Sequence, residues 1–355
     1  MLGVTRIFKI GLRVAEWATP HVQNWHRERN LNRSEAQRHL AAGNWSEAEK
    51  YFQKGLEETH HSSADSLELM LGLAETQRRQ LKLDDAERTA SSAIAIAVRE
   101  KNEAMHALAL DELVTVQLDQ YRFTDAEHTA REVIRLENAR PKPDQARLAS
   151  CSRKLALALE RSERTPEAIE ALRKALGHTE KAYGEGHAET AGHLHELGLL
   201  HRRHGDHDAA QLCLRRALGI HRALGINGEA GAASAEATAT LYHLAASLEE
   251  SGDLAGAATE FERMLALRER QVGANREETS AAQVRLAALH LRTGRVSSAR
   301  ELLIQALPAL EQKGGPMLAQ AFETFASAEE RSGRVGQARL YREKAMIAAA
   351  LCAGE

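Results

Sequence analysis

Apolar residues recur at intervals of three and four along nearly the whole chain, and short polar or glycine-containing breaks cut the pattern into segments of helix length. Three segments superpose directly. Leu194, Leu197, Gly198, His201 and Gly205 in one stretch correspond to Leu241, Leu244, Ala245, Leu248 and Gly252 in the next, and to Leu286, Ala287, His290 and Gly294 in a third. Each stretch reads as an amphipathic helix closed by glycine. Five residues after each glycine an alanine opens a second apolar period: Ala210 with Leu214 and Ala217, Ala257 with Phe261 and Met264, Ala299 with Leu303 and Ala306. The unit is therefore a helix, a tight turn, and a second helix packed back on the first.

Extending the register gives equivalent alanines at Ala48, Ala86, Ala126, Ala168 and Ala338, at successive spacings of 38, 40, 42, 42, 47, 42 and 39 residues. Eight helix pairs fill almost the entire chain, and the expected fold is an all-α right-handed superhelical solenoid. Small residues at the centre of the first helix (Ala74, Ala156, Gly198, Ala245, Ala287, Ala326) let two backbones approach closely. Leu155, Leu197 and Leu244 fill the groove one turn away. Gly43, Gly205, Gly252, Gly294 and Gly333 supply the left-handed residue that ends a first helix. The third repeat is the weakest, with Val114 at the small position and Tyr121 where glycine belongs. The expected divisions are a basic N-terminal segment (1–33), repeats one to five (34–224), a Gly/Ala-rich loop and hinge (225–235), and repeats six to eight (236–352).

These residues resemble the tetratricopeptide repeat family, whose pattern is W-x₂-L-G-x₂-Y, then A-x₃-F, then P. Leu194, Leu197 and Gly198 followed by Ala210 and Leu214 fit it, as do Leu241, Leu244 and Ala245 followed by Ala257 and Phe261. The family repeat is about 34 residues, whereas several here are 42, which looks like the kinesin light chain subgroup. The resemblance implies a concave wall of first helices that binds a peptide or helix of a protein partner. The fifth, ninth and twelfth residues of each first helix share one face. With the sixth position they give Arg78, Asp111, Arg153, Lys154, His195, Arg202, Tyr242, His243, Glu249 and Arg285 as candidate groove residues. Kinesin light chain-type repeats place asparagine at the sixth position. Here it holds Lys154, Glu196, His243 and Arg285, which argues against clamping of a peptide backbone by that asparagine.

Composition supports helices, with aromatics at 4% and 6 prolines in 355 residues. The 47 basic and 50 acidic residues leave no field that would gather nucleic acid. Cys151, Cys213 and Cys352 are far apart and show no metal-type spacing, and no apolar run approaches the roughly 18 to 20 residues of a membrane span. A cytoplasmic location with reduced thiols is expected. Six histidines crowd repeat five (His187, His193, His195, His201, His204, His207), and His201 with His204 has a spacing that permits metal binding. Ordinary packed or exposed histidines are the simpler reading. Gly225, Gly228 and Gly231 follow a helix without a Gly-Lys-Ser/Thr sequence, so no phosphate loop is expected. No catalytic motif, cofactor site or metal site is expected, and the chain reads as a non-enzymatic scaffold or adaptor, or as a peptide-responsive sensor hinged at 225–235.

Basic charge concentrates at the N-terminus. Arg6, Lys9 and Arg13 fall on one narrow helical arc, while Phe8, Leu12 and Trp17 lie on the apolar remainder. Such a helix over residues 4–18 either caps the first repeat, lies on an anionic membrane, or docks on a partner helix.

Overall fold

The computed structural model describes residues 31–59, 66–226, 230–269 and 276–353, and sixteen helices with no strand among them. In chain order they pair as α1 (31–41) with α2 (Trp45–Glu57), α3 (Leu67–Arg79) with α4 (Leu83–Arg99), α5 (Glu103–Asp119) with α6 (Phe123–Ala139), and α7 (Gln145–Arg161) with α8 (Thr165–Tyr183). The remaining pairs are α9 (Ala188–Arg203) with α10 (His207–Ile226), α11 (Ala230–Glu250) with α12 (Leu254–Glu269), α13 (Arg276–Arg292) with α14 (Val296–Lys313), and α15 (Pro316–Arg331) with α16 (Val335–Ala353). The eight expected pairs are all present.

The chain divides into two compact units, the first ending at His178 and the second beginning at Thr179. In unit 1 each second helix packs on the first helix of the next pair, as α2 on α3, α4 on α5 and α6 on α7. Unit 2 repeats the arrangement with α10 on α11, α12 on α13 and α14 on α15. Most of the 225–235 stretch is helical, because α10 runs to Ile226 and α11 begins at Ala230. Its alanines favour helix over loop.

The recurring alanines mark the helix crossings. Ala48, Ala86, Ala126, Ala168, Ala210, Ala257 and Ala299 are fully buried, and Ala338 nearly so. The small residues of the first helices, from Ala74 to Ala326, are buried with them. At Gly198 even a methyl group has no room, since a Cβ there would stand 2.7 Å from Leu214 Cγ. Close approach, not propensity, selects glycine at this point.

Every first helix ends on a residue with positive φ, but only five of the eight are glycine. Leu81 (φ 62°), Tyr121 (φ 60°) and Glu163 (φ 60°) adopt the same left-handed conformation. The following amide then reaches back five residues, from Lys82 to the Gln77 carbonyl (2.9 Å), Arg122 to Gln117 (2.9 Å) and Arg164 to Leu159 (2.9 Å). This Schellman closure satisfies the last carbonyls of the helix and holds even a disfavoured residue in place.

In unit 1 the same turns carry a ladder of ion pairs between repeats. Lys82 reaches Glu49 (2.7 Å), Arg122 reaches Glu87 (2.7 Å) and Arg164 reaches Glu127 (2.6 Å), each carboxylate lying one residue past a crossing alanine of the preceding repeat. The hydrogen bond from Arg122 holds the Glu87 carboxyl below its ordinary range.

Candidate functional site

The candidate surface is the wall formed by successive first helices, which touch within unit 1 as α3 on α5 and α5 on α7, and within unit 2 as α9 on α11 and α13 on α15. Most of the residues expected to line it are held by contacts with the neighbouring first helix.

In unit 1 Arg78 of α3 donates to Glu112 (2.9 Å) and Asp119 (3.2 Å) of α5. Burial alone would lower the guanidinium pKa, but the two carboxylates outweigh it and raise it. Burial pushes the Glu112 carboxyl up, with Arg78 opposing. On the other side of α5, Asp111 accepts from Lys154 Nζ (2.7 Å) and from the Cys151 thiol (3.0 Å) of α7. Burial, reinforced by Asp111, pushes the Cys151 thiol upward, so it stays protonated. Arg153 lies exposed on the same helix, beside Leu157 at 37% exposure.

In unit 2 the wall is aromatic and imidazole-rich. His195 Nδ1 lies 2.9 Å from the Thr240 hydroxyl, and its ring meets that of His243 edge-on at 5.3 Å. Tyr242 packs edge-on against His243 (5.3 Å) and Phe261 (5.8 Å), with the Arg285 guanidinium 5.4 Å from its ring centre. Arg285 also pairs with Glu249 (3.7 Å), and Arg202 with Glu250 (3.3 Å). Burial lowers His195 to about 4 and His243 to about 3, the second helped by repulsion from His195, Arg202 and Arg285. Both imidazoles are neutral near neutrality. Cation, ring and carboxylate alternate across neighbouring helices, so each side chain is oriented before any partner arrives.

The expected residues therefore fall into two pre-ordered networks. Their partners Glu112, Asp119, Thr240 and Glu250 were not singled out by the sequence. They occupy positions three, six and thirteen of the first helix, outside most of the face that the family pattern marks. A scan for opposite charges one repeat apart would have found Arg78 with Asp119 and Arg202 with Glu250.

The histidines of repeat five disperse. His187 caps α9 and stacks on Tyr183 at 4.8 Å. His193 Nδ1 lies 2.9 Å from the Glu189 carbonyl oxygen, and His201 Nδ1 lies 3.4 Å from Asp206. Among the described residues no group of three or more histidine, cysteine, aspartate or glutamate side chains is placed to hold a metal ion. Cys151, Cys213 and Cys352 are free thiols. No described helix is long and apolar enough to cross a membrane. The N-terminal candidates Arg6, Phe8, Lys9, Leu12, Arg13 and Trp17 lie outside the described residues, as do 227–229 of the expected hinge.

Tetratricopeptide repeat models match residues 33–99, 144–223 and 236–312, more than half of the chain and within the helix pairs described above. The chain belongs to the tetratricopeptide repeat family. Among solved structures it is similar to the apo form of RapI, at 15% identity with a TM-score of 0.64, covering 80% of this chain and 76% of that one. A STAND protein with a tetratricopeptide repeat sensor from Pyrococcus horikoshii, PH0952, gives 13% identity and the same TM-score over 91% of this chain. That match spans only 48% of PH0952. BtubC from P. vanneervenii is 17% identical, with a TM-score of 0.49 over 77% of this chain and 93% of that one. A putative kinesin light chain repeat protein from Podosopora anserina is also among the neighbours, at 19% identity with a TM-score of 0.47 over 58% of this chain and 94% of that one. No curated protein matches the chain in sequence. As a tetratricopeptide repeat protein it is, in general terms, a protein-interaction scaffold.

Proposed function

We propose that the first-helix wall of each unit is the binding surface of an adaptor that takes a peptide or a helix of another protein. The observation that carries this reading is the pre-ordering of the wall. Charged and aromatic side chains are fixed by neighbouring first helices, and the leucines Leu71, Leu157 and Leu199 stand partly exposed beside them. Such a surface offers apolar contact without an ordering cost in its polar frame, which is how a shallow groove gains affinity. The balance of charge in the wall favours a partner of mixed polarity over nucleic acid. The expected role is adaptor or scaffold without catalysis.

The test is affinity capture from the native host with full-length protein, comparing the unaltered chain with Arg153→Glu/Leu157→Asp in unit 1 and Tyr242→Ala in unit 2. Loss of the captured partner with at least one of these, and an unchanged helical circular dichroism spectrum, is the expected result. Retention of the same partner by both variants removes the wall from the mechanism.

A second reading rests on the basic amphipathic pattern of residues 4–18, which fits an anionic membrane surface. All three tryptophans, Trp17, Trp25 and Trp45, lie in the first 45 residues, so tryptophan emission reports on this region. A blue shift with phosphatidylserine vesicles, absent in a variant with Arg6, Lys9 and Arg13 replaced by glutamate, is expected if this segment brings the scaffold to a membrane. Emission that vesicles leave unchanged excludes it.

A further inference from the structure

The turns of repeats two and three combine two features that each cost stability. Leu81 and Tyr121 sit in left-handed backbone where glycine would be relaxed. They are also the two most exposed large apolar side chains among the described residues, at 81% and 78%. Neither side chain recovers by burial what its backbone loses. Five other turns of the same kind use glycine, so the geometry itself does not require these residues.

The two turns close successive first helices, α3 and α5, which touch one another, and more apolar surface gathers around them. Phe123 is half-buried and packs edge-on against Tyr121 at 6.1 Å. Leu83 is half-buried on turn two, and Trp45 is half-buried on turn one with Arg79 5.8 Å from its ring centre. The base beneath is rigid, since the ion pairs Lys82 with Glu49 and Arg122 with Glu87 tie each turn to the repeat before it. Strained backbone that is held by its surroundings and carries exposed apolar side chains points to a contact outside the monomer.

We propose that this rim of unit 1 is a self-association surface on which a second copy of the chain docks, about a two-fold axis between turns two and three, so that Leu81 of each copy meets Tyr121 of the other. Charge selects a second copy over a strongly charged partner. Lys82 is followed by Asp84 and Asp85, and Arg122 by Asp125, so the rim carries both signs in close alternation. A two-fold axis lays turn two against turn three of the second copy, which brings Asp84 and Asp85 beside Arg122 in both halves of the contact. Arg122 is 43% exposed at this rim while pairing with Glu87 and Asp125 of its own chain. The aromatic pair Tyr121 and Phe123 supplies the kind of anchor that dominates small interfaces.

Sedimentation velocity of the full-length protein across a hundredfold concentration range tests the surface. The unaltered chain should pass from monomer to dimer, and Leu81→Gly/Tyr121→Gly should weaken the association by roughly tenfold or more. At concentrations where both are monomeric the double variant should melt at a temperature no lower than the unaltered chain, because glycine relaxes both turns. This separates a lost contact from a lost fold. Mixing Leu81→Cys protein with Tyr121→Cys protein should give the 81–121 disulfide under oxidation, identified by mass spectrometry of the cross-linked peptide, whereas neither protein alone should give an 81–81 or 121–121 link. A chain that stays monomeric throughout, a dimer that the glycine variant leaves intact, or cross-linking without the 81–121 peptide would each overturn the proposal.

Discussion

At Gly198 a single methyl group decides how closely α9 and α10 can pass. An added Cβ would meet Leu214 Cγ at 2.7 Å and the Ala210 carbonyl oxygen at 3.3 Å. Alanine has the better helix propensity by about 0.5 to 1 kcal/mol, but overpacking a crossing costs about 1 to 3 kcal/mol. Gly198→Ala should therefore destabilise, and the effect should shrink when Leu214 is shortened to alanine. A double-mutant cycle read by urea unfolding checks this, since additive losses would show that the two positions do not touch. Glu163 calls for the opposite sign. It is exposed and left-handed at φ 60°, so Glu163→Gly should raise stability by about 1 kcal/mol, measured by the same denaturation. A loss there would mean that the side chain makes a contact outweighing its backbone.

Between α6 and α7 the decisive contact is a buried carboxylate. Glu137, fully buried, accepts from the Asp144 amide (2.7 Å), Arg140 (2.7 Å) and Arg147 (3.3 Å), which folds residues 140–144 back over the end of α6. Removing one member of a buried pair leaves the other uncompensated, so Glu137→Ala should cost about 3 to 5 kcal/mol. Glu137→Gln should cost less, because it keeps an acceptor for the Asp144 amide. Hydrogen exchange should show the damage centred on residues 137–148, and uniform loosening of unit 1 would contradict a local clasp. This contact also shows where sequence reading stops. The alanine spacing and the closing glycines repeat along one chain, so Ala48 through Ala338 and Gly205, Gly252 and Gly294 could be placed in advance. The pairs Arg78 with Glu112, Lys154 with Asp111 and His195 with Thr240 depend on how one helix is rotated and shifted against its neighbour. That offset is set by the packing of whole repeats and leaves no period in the sequence. The candidate wall was thus legible as a face, while the networks within it were not. Leu81 and Glu163 escaped for a related reason. Their left-handed backbone follows from the Schellman closure and not from their own preferences, which would have placed a glycine there.

Across the molecule the buried histidines are unevenly shared. His193, His195, His201, His221, His243 and His290 are buried or half-buried in unit 2, whereas no described histidine of unit 1 is fully buried. Burial holds His195 at about 4 and His243 at about 3, and lowers His221 and His290 below the ordinary imidazole value. The charged groups that act on the His195–His243 pair are His221, Arg202 and Arg285, and all of them oppose its protonation. Each such group binds its proton more readily when unfolded, at about pH 6.5. Stability from these histidines is therefore complete above that value and falls as the pH drops toward the folded values. At pH 5 His195 and His243 together should remove on the order of 2 to 4 kcal/mol from unit 2. Hydrogen exchange at pH 7 and pH 5, corrected for the intrinsic rate, should show α9 and α11 losing protection while α3 and α5 keep theirs. His243→Phe should flatten the pH response of unit 2, because the phenyl ring fills the site without a proton to gain. Equal loss in both units, or a pH response that His243→Phe leaves unchanged, would place the acid sensitivity in the carboxylates instead.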